Sequence, residues 1–404
     1  PSRGTISNIP TLFRTMMVGD PHFDFASPGR IVFGWEALSR LPEYIAHLGP
    51  RPLVVSGGSI ARVDPVLDLL THSGFVPHLF QVNQEPSIEL IQQGMLEARE
   101  GSDWVLGMGG GSALDAAKAI AMMAPQAGEV LDYLEVIGSG KPFEKKGLPV
   151  VAIPTTAGTG SEVTRNAVLS SAHHRAKVSM RHSSMLPALS IVDPSLTLSC
   201  PPAVTVSTGL DALTQLIEPF LSCKANPMTD GFCRQGIPVA VRSIQKVFQE
   251  PHNKQARTDM AYASLLGGLA LANAGLGVVH GIAGPFGGMF PNAPHGAVCA
   301  ALLPAALEIN NHVLKERYRG HLCQLRLGEL VGMVTGNQHA TFEDALAWIH
   351  QTVHLLNIPC LGSYGCSKGD LPLLIEKSMQ ASSMKGNPVP LLPEEIADII
   401  QRAL

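Results

Sequence analysis

Apolar and polar positions follow two rhythms along this 404-residue chain. In the first half, short apolar runs alternate with stretches of helical period. Strands are expected at 31–34, 52–56, 76–82, 104–108, 150–154 and 189–192. Helices are expected at 63–73, 87–99 and 112–123, so the pattern reads as βαβ units and a parallel sheet. After Asp193–Pro194 the period turns helical, with helices expected at 209–221, 228–248, 258–274, 300–310, 318–334, 341–356, 371–380 and 393–403. The change falls near 195–205, dividing the chain into an α/β N-terminal part, 1–197, and an all-α C-terminal part, 198–404. No internal repeat or low-complexity segment stands out.

Composition narrows what such a chain can do. Charged residues make up 15% and hydrophobic ones 45%, the reverse of a disordered segment. A net charge of −4 offers no electrostatic footprint for nucleic acid or an anionic membrane. No apolar run reaches the ~18 residues of a membrane span. The N-terminus shows no basic region followed by an apolar run and a small-residue cleavage site, so no secretory signal is expected. All seven cysteines lie in the C-terminal part, without a CxxC spacing. They read as mostly buried thiols of a cytoplasmic protein. Glycine is abundant, with 40 residues, and much of it is clustered.

Three of those clusters follow expected strands. The stretch 103–118 (DWVLGMGGGSALDAAK) runs from strand through Gly109, Gly110, Gly111 and Ser112 into a helix. Backbone N–H groups without Cβ obstruction at a helix N-terminus suit a phosphate; a tight strand–helix turn is the plain alternative. The full GxGxxG fingerprint with a later acid is only partly met. A second loop, Pro154–Glu162, brings the hydroxyls of Thr155, Thr156, Thr159 and Ser161, suited to phosphate, ribose or amide or to capping a helix. A third, Ser56–Gly57–Gly58–Ser59, ends the strand whose terminal residue often reads the adenosine ribose. An acid there would favour NAD; small neutral residues beside Arg62 leave room for a 2′-phosphate and favour NADP(H) over NAD(H).

The helical half carries candidate metal ligands. Asp211 and Gln215 share one helix face. His280 and His295 follow, separated by an expected loop holding Gly284, Gly287 and Gly288. Two imidazoles and a carboxylate make a three-ligand set with an open position, as in catalytic zinc or non-haem iron(II) sites. Each residue also has an ordinary structural explanation: Asp211 as a helix cap, His280 as a core histidine, His295 as a turn residue.

Taken together, the blocks GMGGGSALDAAKAIA, AIPTTAGTGSEVTRNAVL, STGLDALTQLIEPFLS, HGIAGPFGGMFPNAPHG and KGNPVPLLPEEI, in this order, resemble the iron-containing alcohol dehydrogenase family over nearly the whole chain. The resemblance implies a dinucleotide-binding α/β domain and a helical metal domain, in the architecture shared with dehydroquinate synthase, with an active-site cleft between them. It places Gly109, Gly110, Gly111, Ser112 and Asp115 at the pyrophosphate. It places Thr155, Thr156, Thr159, Asn166 and Lys177 along the cofactor cleft, and Asp211, His280 and His295 on the metal. Members similar at Ser56–Gly58 tend to use NADP(H).

Two departures stand out: Gln215 occupies a usual histidine position, and so does Gly284. The stretch to His295 is also one residue longer. An amide is a poorer ligand for iron(II) than an imidazole. Related glycerol dehydrogenases hold zinc through one Asp and two His, and related maleylacetate reductases use no metal. The expectation is therefore hydride transfer between a nicotinamide and a small alcohol, aldehyde or ketone, assisted by Fe(II) or Zn(II) on Asp211, Gln215, His280 and His295, in a homodimer or larger homo-oligomer. The alternatives are a metal-free oxo-acid reductase, with Arg165 as carboxylate partner, an NAD-using lyase resembling dehydroquinate synthase, and a non-catalytic binding protein.

Overall fold

The computed structural model describes residues 22–404 except Val136 and Arg175. The chain start, where no secretory signal is expected, lies outside the described residues. The first part holds β1 (Ile31–Phe33), α1 (Leu41–Ile45), β2 (Pro52–Gly57), α2 (Ile60–His72), β3 (His78–Val82), α3 (Ile88–Arg99), β4 (Trp104–Gly109), α4 (Gly111–Met123) and β5 (Val150–Pro154). A hairpin of β6 (Asn166–Ser171) and β7 (Ala176–Arg181) and the strand β8 (Leu189–Val192) complete it. The sheet order is β1-β8-β5-β4-β2-β3, with every pair parallel.

Period-two alternation divides the sheet's side chains between two layers. Leu53, Val55 and Val105 pack with α3 and α4, whereas Val54, Leu106, Val151 and Ile153 pack with α1 and α2. A strand covered on both faces must be apolar throughout, which is why β4 reads as a run and not an alternation. The loops after β2, β4 and β5 all leave the carboxyl edge of the sheet, where open α/β sheets bind their ligands.

The second part is helical: α5 (Pro202–Leu221), α6 (Pro227–Gln249), α7 (Lys254–Ala274), α8 (Val278–Met289), α9 (His295–Arg317), α10 (Leu322–Thr335), α11 (Phe342–Leu355), α12 (Leu371–Gln380) and α13 (Pro393–Ala403). From Thr205 to its end, α5 is buried almost all round, as befits a helix at the centre of a bundle. A cluster of Val163, Val192, Ala261, Leu265 and Leu269 joins the sheet to α7. Among the described residues one helix, α9, is long and apolar enough to cross a membrane, but 78% of its apolar window is buried within the protein.

Most expected elements are present, with three corrections. The β6–β7 hairpin was not expected, because its residues (NAVLSS and AKVSMR) mix polar and apolar positions. The expected loop between His280 and His295 is largely helix α8. Its glycines and Pro285 argue against a helix locally, and its first N–H groups are satisfied from afar: Val278 donates to Asn387 Oδ1 and Val279 to Glu218 Oε1. Finally, α9 begins at His295 and not near 300. Gly296 weakens the helical pattern there, yet a Cβ on it would sit 2.2 Å from the Ser207 carbonyl oxygen. Only glycine lets α9 approach α5 this closely.

Candidate functional site

Helices α5, α8 and α9 converge on one buried cluster. Asp211 and Gln215 lie one turn apart on α5, and Glu218 follows on the same face. The early residue His280 of α8 and the first residue of α9, His295, meet them, with ring centroids 5.4 Å apart. Cys299, one turn after His295, is the sixth member. Ligand atoms of Asp211, His280, His295 and Cys299 all lie within 4.8 Å of one another.

Hydrogen bonds fix how these side chains face. Glu218 Oε2 accepts from His280 Nδ1 at 2.6 Å, which places the ring proton on Nδ1 and leaves the Nε2 lone pair bare. Gln215 Nε2 donates to Asp211 Oδ2 at 2.9 Å, which turns its own carbonyl oxygen the other way. Among the described residues, three buried side-chain atoms are left without a hydrogen-bond partner: Asp211 Oδ1, Gln215 Oε1 and His280 Nε2. Buried polar atoms are rarely left so. Each of the three is a lone-pair donor that a cation would satisfy, and Asp211 Oδ1 lies 3.3 Å from His280 Nε2. The donor set therefore fits a divalent metal.

A proton and a metal compete for these lone pairs, and the surrounding charges set the metal-free balance. Burial resists a charge on His280, but the Cys299 sulfur and the Glu218 and Asp211 carboxylates overcome it and hold its pKa well above the ordinary value. Burial pushes His295 down to about 4, a neutral ring ready to donate electrons. Burial also works to raise Asp211, yet the imidazoles beside it keep its pKa low and the carboxylate charged. The Cys299 thiol, desolvated, rises to about 12.

Most residues expected around a cofactor lie in the loops at the carboxyl edge of the sheet, whereas Asn166 and Lys177 lie on the β6–β7 hairpin and Asp115 within α4. Ser56, buried at the end of β2, stands beside Met108 of β4, so the Gly57–Gly58 and Gly109–Gly110 loops emerge side by side. Gly110 caps α4, and Gly111 and Ser112 form its first turn without a side-chain cap. Thr155 N–H donates to the Gly109 carbonyl, and Thr156 and Thr159 pack over Gly110 and Gly111. Arg62 reaches from α2 to the Ser199 carbonyl oxygen at 2.8 Å.

Asp115 has a role inside the protein. Its carboxylate accepts from Ser161 Oγ and from Val168 N–H at 2.8 Å, tying the Pro154–Glu162 loop and β6 to α4. Lys118, fully buried, donates to the Ser161 carbonyl and Thr164 Oγ1, both at 2.9 Å, and to the Asn166 carbonyl. Neighbouring Glu162 is raised by burial to about 7. Lys177, on β7, pairs with Glu85 and lies against Gly287 of α8. Arg165 opens the hairpin, where its carbonyl accepts from His182 N–H.

Sequence reasoning missed Cys299 and Glu218. Both carry a signal in their spacing: Cys299 lies one helical turn from His295, and Glu218 two turns from Asp211. The first was hidden because the helix was expected to start after it. All seven cysteines are free thiols, five buried and two exposed.

Comparison with known proteins agrees over the same span. Residues 28–194 match the sequence profile described as iron-containing alcohol dehydrogenase, and residues 205–404 match that of the C-terminal part of the same family. Long-chain-alcohol dehydrogenase 1 of Geobacillus thermodenitrificans is 37% identical over 93% of this chain and 97% of its own. An NAD-dependent methanol dehydrogenase of Bacillus methanolicus is 31% identical over 94% of this chain and 100% of its own. A solved 1,3-propanediol oxidoreductase superimposes with a TM-score of 0.87 at 32% identity, covering 95% of this chain and 100% of that one. With both halves matched in order and relatives aligned nearly end to end, the chain belongs to the iron-containing alcohol dehydrogenase family, oxidoreductases that act on CH–OH groups.

Proposed function

We propose that this protein interconverts a small alcohol and its aldehyde or ketone, holding a divalent metal through Asp211, Gln215, His280 and His295 and preferring NADP(H) to NAD(H). The observation that carries the metal assignment is the set of three unpartnered buried atoms, Asp211 Oδ1, Gln215 Oε1 and His280 Nε2. Bound there, the ion supplies Lewis acidity toward a carbonyl oxygen, while the nicotinamide carries the hydride. The protein's part is to position. Glu218 fixes the tautomer and angle of His280, and Gln215 fixes the free lone pair of Asp211. The backbone N–H groups of Gly111 and Ser112 at the start of α4 suit the pyrophosphate. Asp115 and Lys118 hold the threonine loop against α4 through Ser161.

The NADP(H) preference is supported by the end of β2, where Ser56, Gly57 and Gly58 put no carboxylate in the path of a 2′-phosphate. Free thiols throughout support a reducing, cytoplasmic setting. The charge-poor composition supports at least a homodimer, which light scattering measures.

The test is to strip the purified enzyme with chelator and restore Fe(II), Zn(II) or Mn(II), following reduced nicotinamide absorbance with NADH and NADPH in parallel across a panel of alcohols and aldehydes. Activity must fall on chelation and return with metal. Full turnover by Asp211→Ala or His280→Ala refutes the metal assignment.

A further inference from the structure

We propose that Cys299 is itself a ligand of the site, its sulfur joining Asp211, His280 and His295 in a mixed set that selects zinc(II) over iron(II). The proposal rests on the metal reading above and puts the Cys299 sulfur in the place given there to the weaker Gln215 oxygen. Cys299 is completely buried, and its Sγ lies 3.6 Å from His295 Nε2. Its sulfur, a carboxylate oxygen of Asp211 and a ring nitrogen of each histidine all fall within 4.8 Å of one another.

A thiol that merely fills a core is surrounded by apolar side chains. This one is packed among two imidazoles and a carboxylate, beside the unpartnered Asp211 Oδ1 and His280 Nε2. Its place on α9 follows from the helix itself. His295 opens α9 and Cys299 comes one turn later, so both side chains lie on the face that meets α5.

The chemistry explains how the site tolerates Gln215. A neutral amide oxygen is a weak donor, whereas a thiolate is a soft, charged one that suits zinc. One carboxylate and one thiolate balance the charge of a divalent ion, and two imidazoles complete an N, S and O set ordinary for zinc. As the metal–sulfur bond forms, the Cys299 S–H bond breaks and its proton passes to solvent. No electron is transferred.

The direct test is anaerobic reconstitution of the metal-stripped full-length protein with cobalt(II). Thiolate ligation produces an intense near-ultraviolet sulfur-to-cobalt charge-transfer band. The wild type should show it, Cys299→Ser should lose it, and Cys233→Ser, a buried thiol outside the cluster, should keep it. Chelator competition should show zinc(II) affinity falling by at least about tenfold in Cys299→Ser, with a smaller loss for iron(II). A wild type that binds one cobalt without the band overturns Cys299 as ligand and leaves the metal assignment standing. A wild type that binds no cobalt overturns both. A band that survives in Cys299→Ser assigns the sulfur elsewhere and overturns the proposal. The wild-type spectrum decides the matter even where a variant folds poorly.

Discussion

Replacing Glu218 with glutamine should cripple metal binding although Glu218 lies one shell outside the ligands. The carboxylate accepts two hydrogen bonds at once: from Val279 N–H to Oε1 at 2.7 Å and from His280 Nδ1 to Oε2 at 2.6 Å. Glutamine has the same shape but only one acceptor. If its oxygen stays with Val279, its NH2 faces Nδ1 and can donate only once the ring proton has moved to Nε2. That move removes the lone pair beside Asp211. If the oxygen turns to His280 instead, two donors confront each other at the start of α8. A hydrogen bond to a charged group contributes about 1.5–3 kcal/mol, which corresponds to a loss of about 10- to 150-fold in affinity. Second-layer carboxylates elsewhere cost about 10–100-fold when removed. The assay is zinc(II) affinity of Glu218→Gln by chelator competition, with circular dichroism to show that the fold is retained. Affinity indistinguishable from wild type would sink the idea that Glu218 sets the tautomer of His280.

Other substitutions probe the scaffold and the cofactor edge. A Cβ on Gly268 of α7 would sit 2.6 Å from the Gly160 carbonyl oxygen and 2.6 Å from Val163 Cγ2, so Gly268→Ala should cost about 1–3 kcal/mol of stability; an unchanged denaturation midpoint contradicts the close packing of α7 on the threonine loop. Gly57→Asp places a carboxylate at the end of β2 and should raise the KM for NADPH more than for NADH; equal effects on both would show that the 2′-phosphate lies elsewhere. Glu162 has a folded pKa of about 7, above its ordinary 4.5, so the folded state binds the proton more tightly and this residue subtracts stability as pH rises through that window. Glu162→Gln should therefore gain on wild type in urea melts at pH 8 compared with pH 5, and a pH-independent difference would refute the burial argument.

Much of the architecture was legible because local and tertiary forces agree. The strands of the sheet announce themselves as apolar runs between glycine-rich loops, since a sheet buried on both faces admits little else. Residues 371–380 and 393–403 read as helices and form α12 and α13 with the same bounds. The hairpin β6–β7 was not legible, because its two strands are stabilised mainly by each other and by α4, and their polar alternation is indistinct.

At the site itself, the chain order of residues determined the identity of Asp211, Gln215, His280 and His295 as candidates and the glycine loops as phosphate-binding candidates. Spacing on one helix was enough for the pair on α5. Only the tertiary structure decided that α8 is a helix, because Glu218 and Asn387, distant in sequence, supply the hydrogen bonds its glycine-rich start lacks. It also brought Cys299 beside Asp211, His280 and His295, and it left three buried atoms of the cluster without a hydrogen-bond partner among the described residues. The physical reason is that helix propensity and residue spacing act within a turn or two, whereas the donor set belongs to three helices whose convergence depends on packing as close as Gly296 against Ser207.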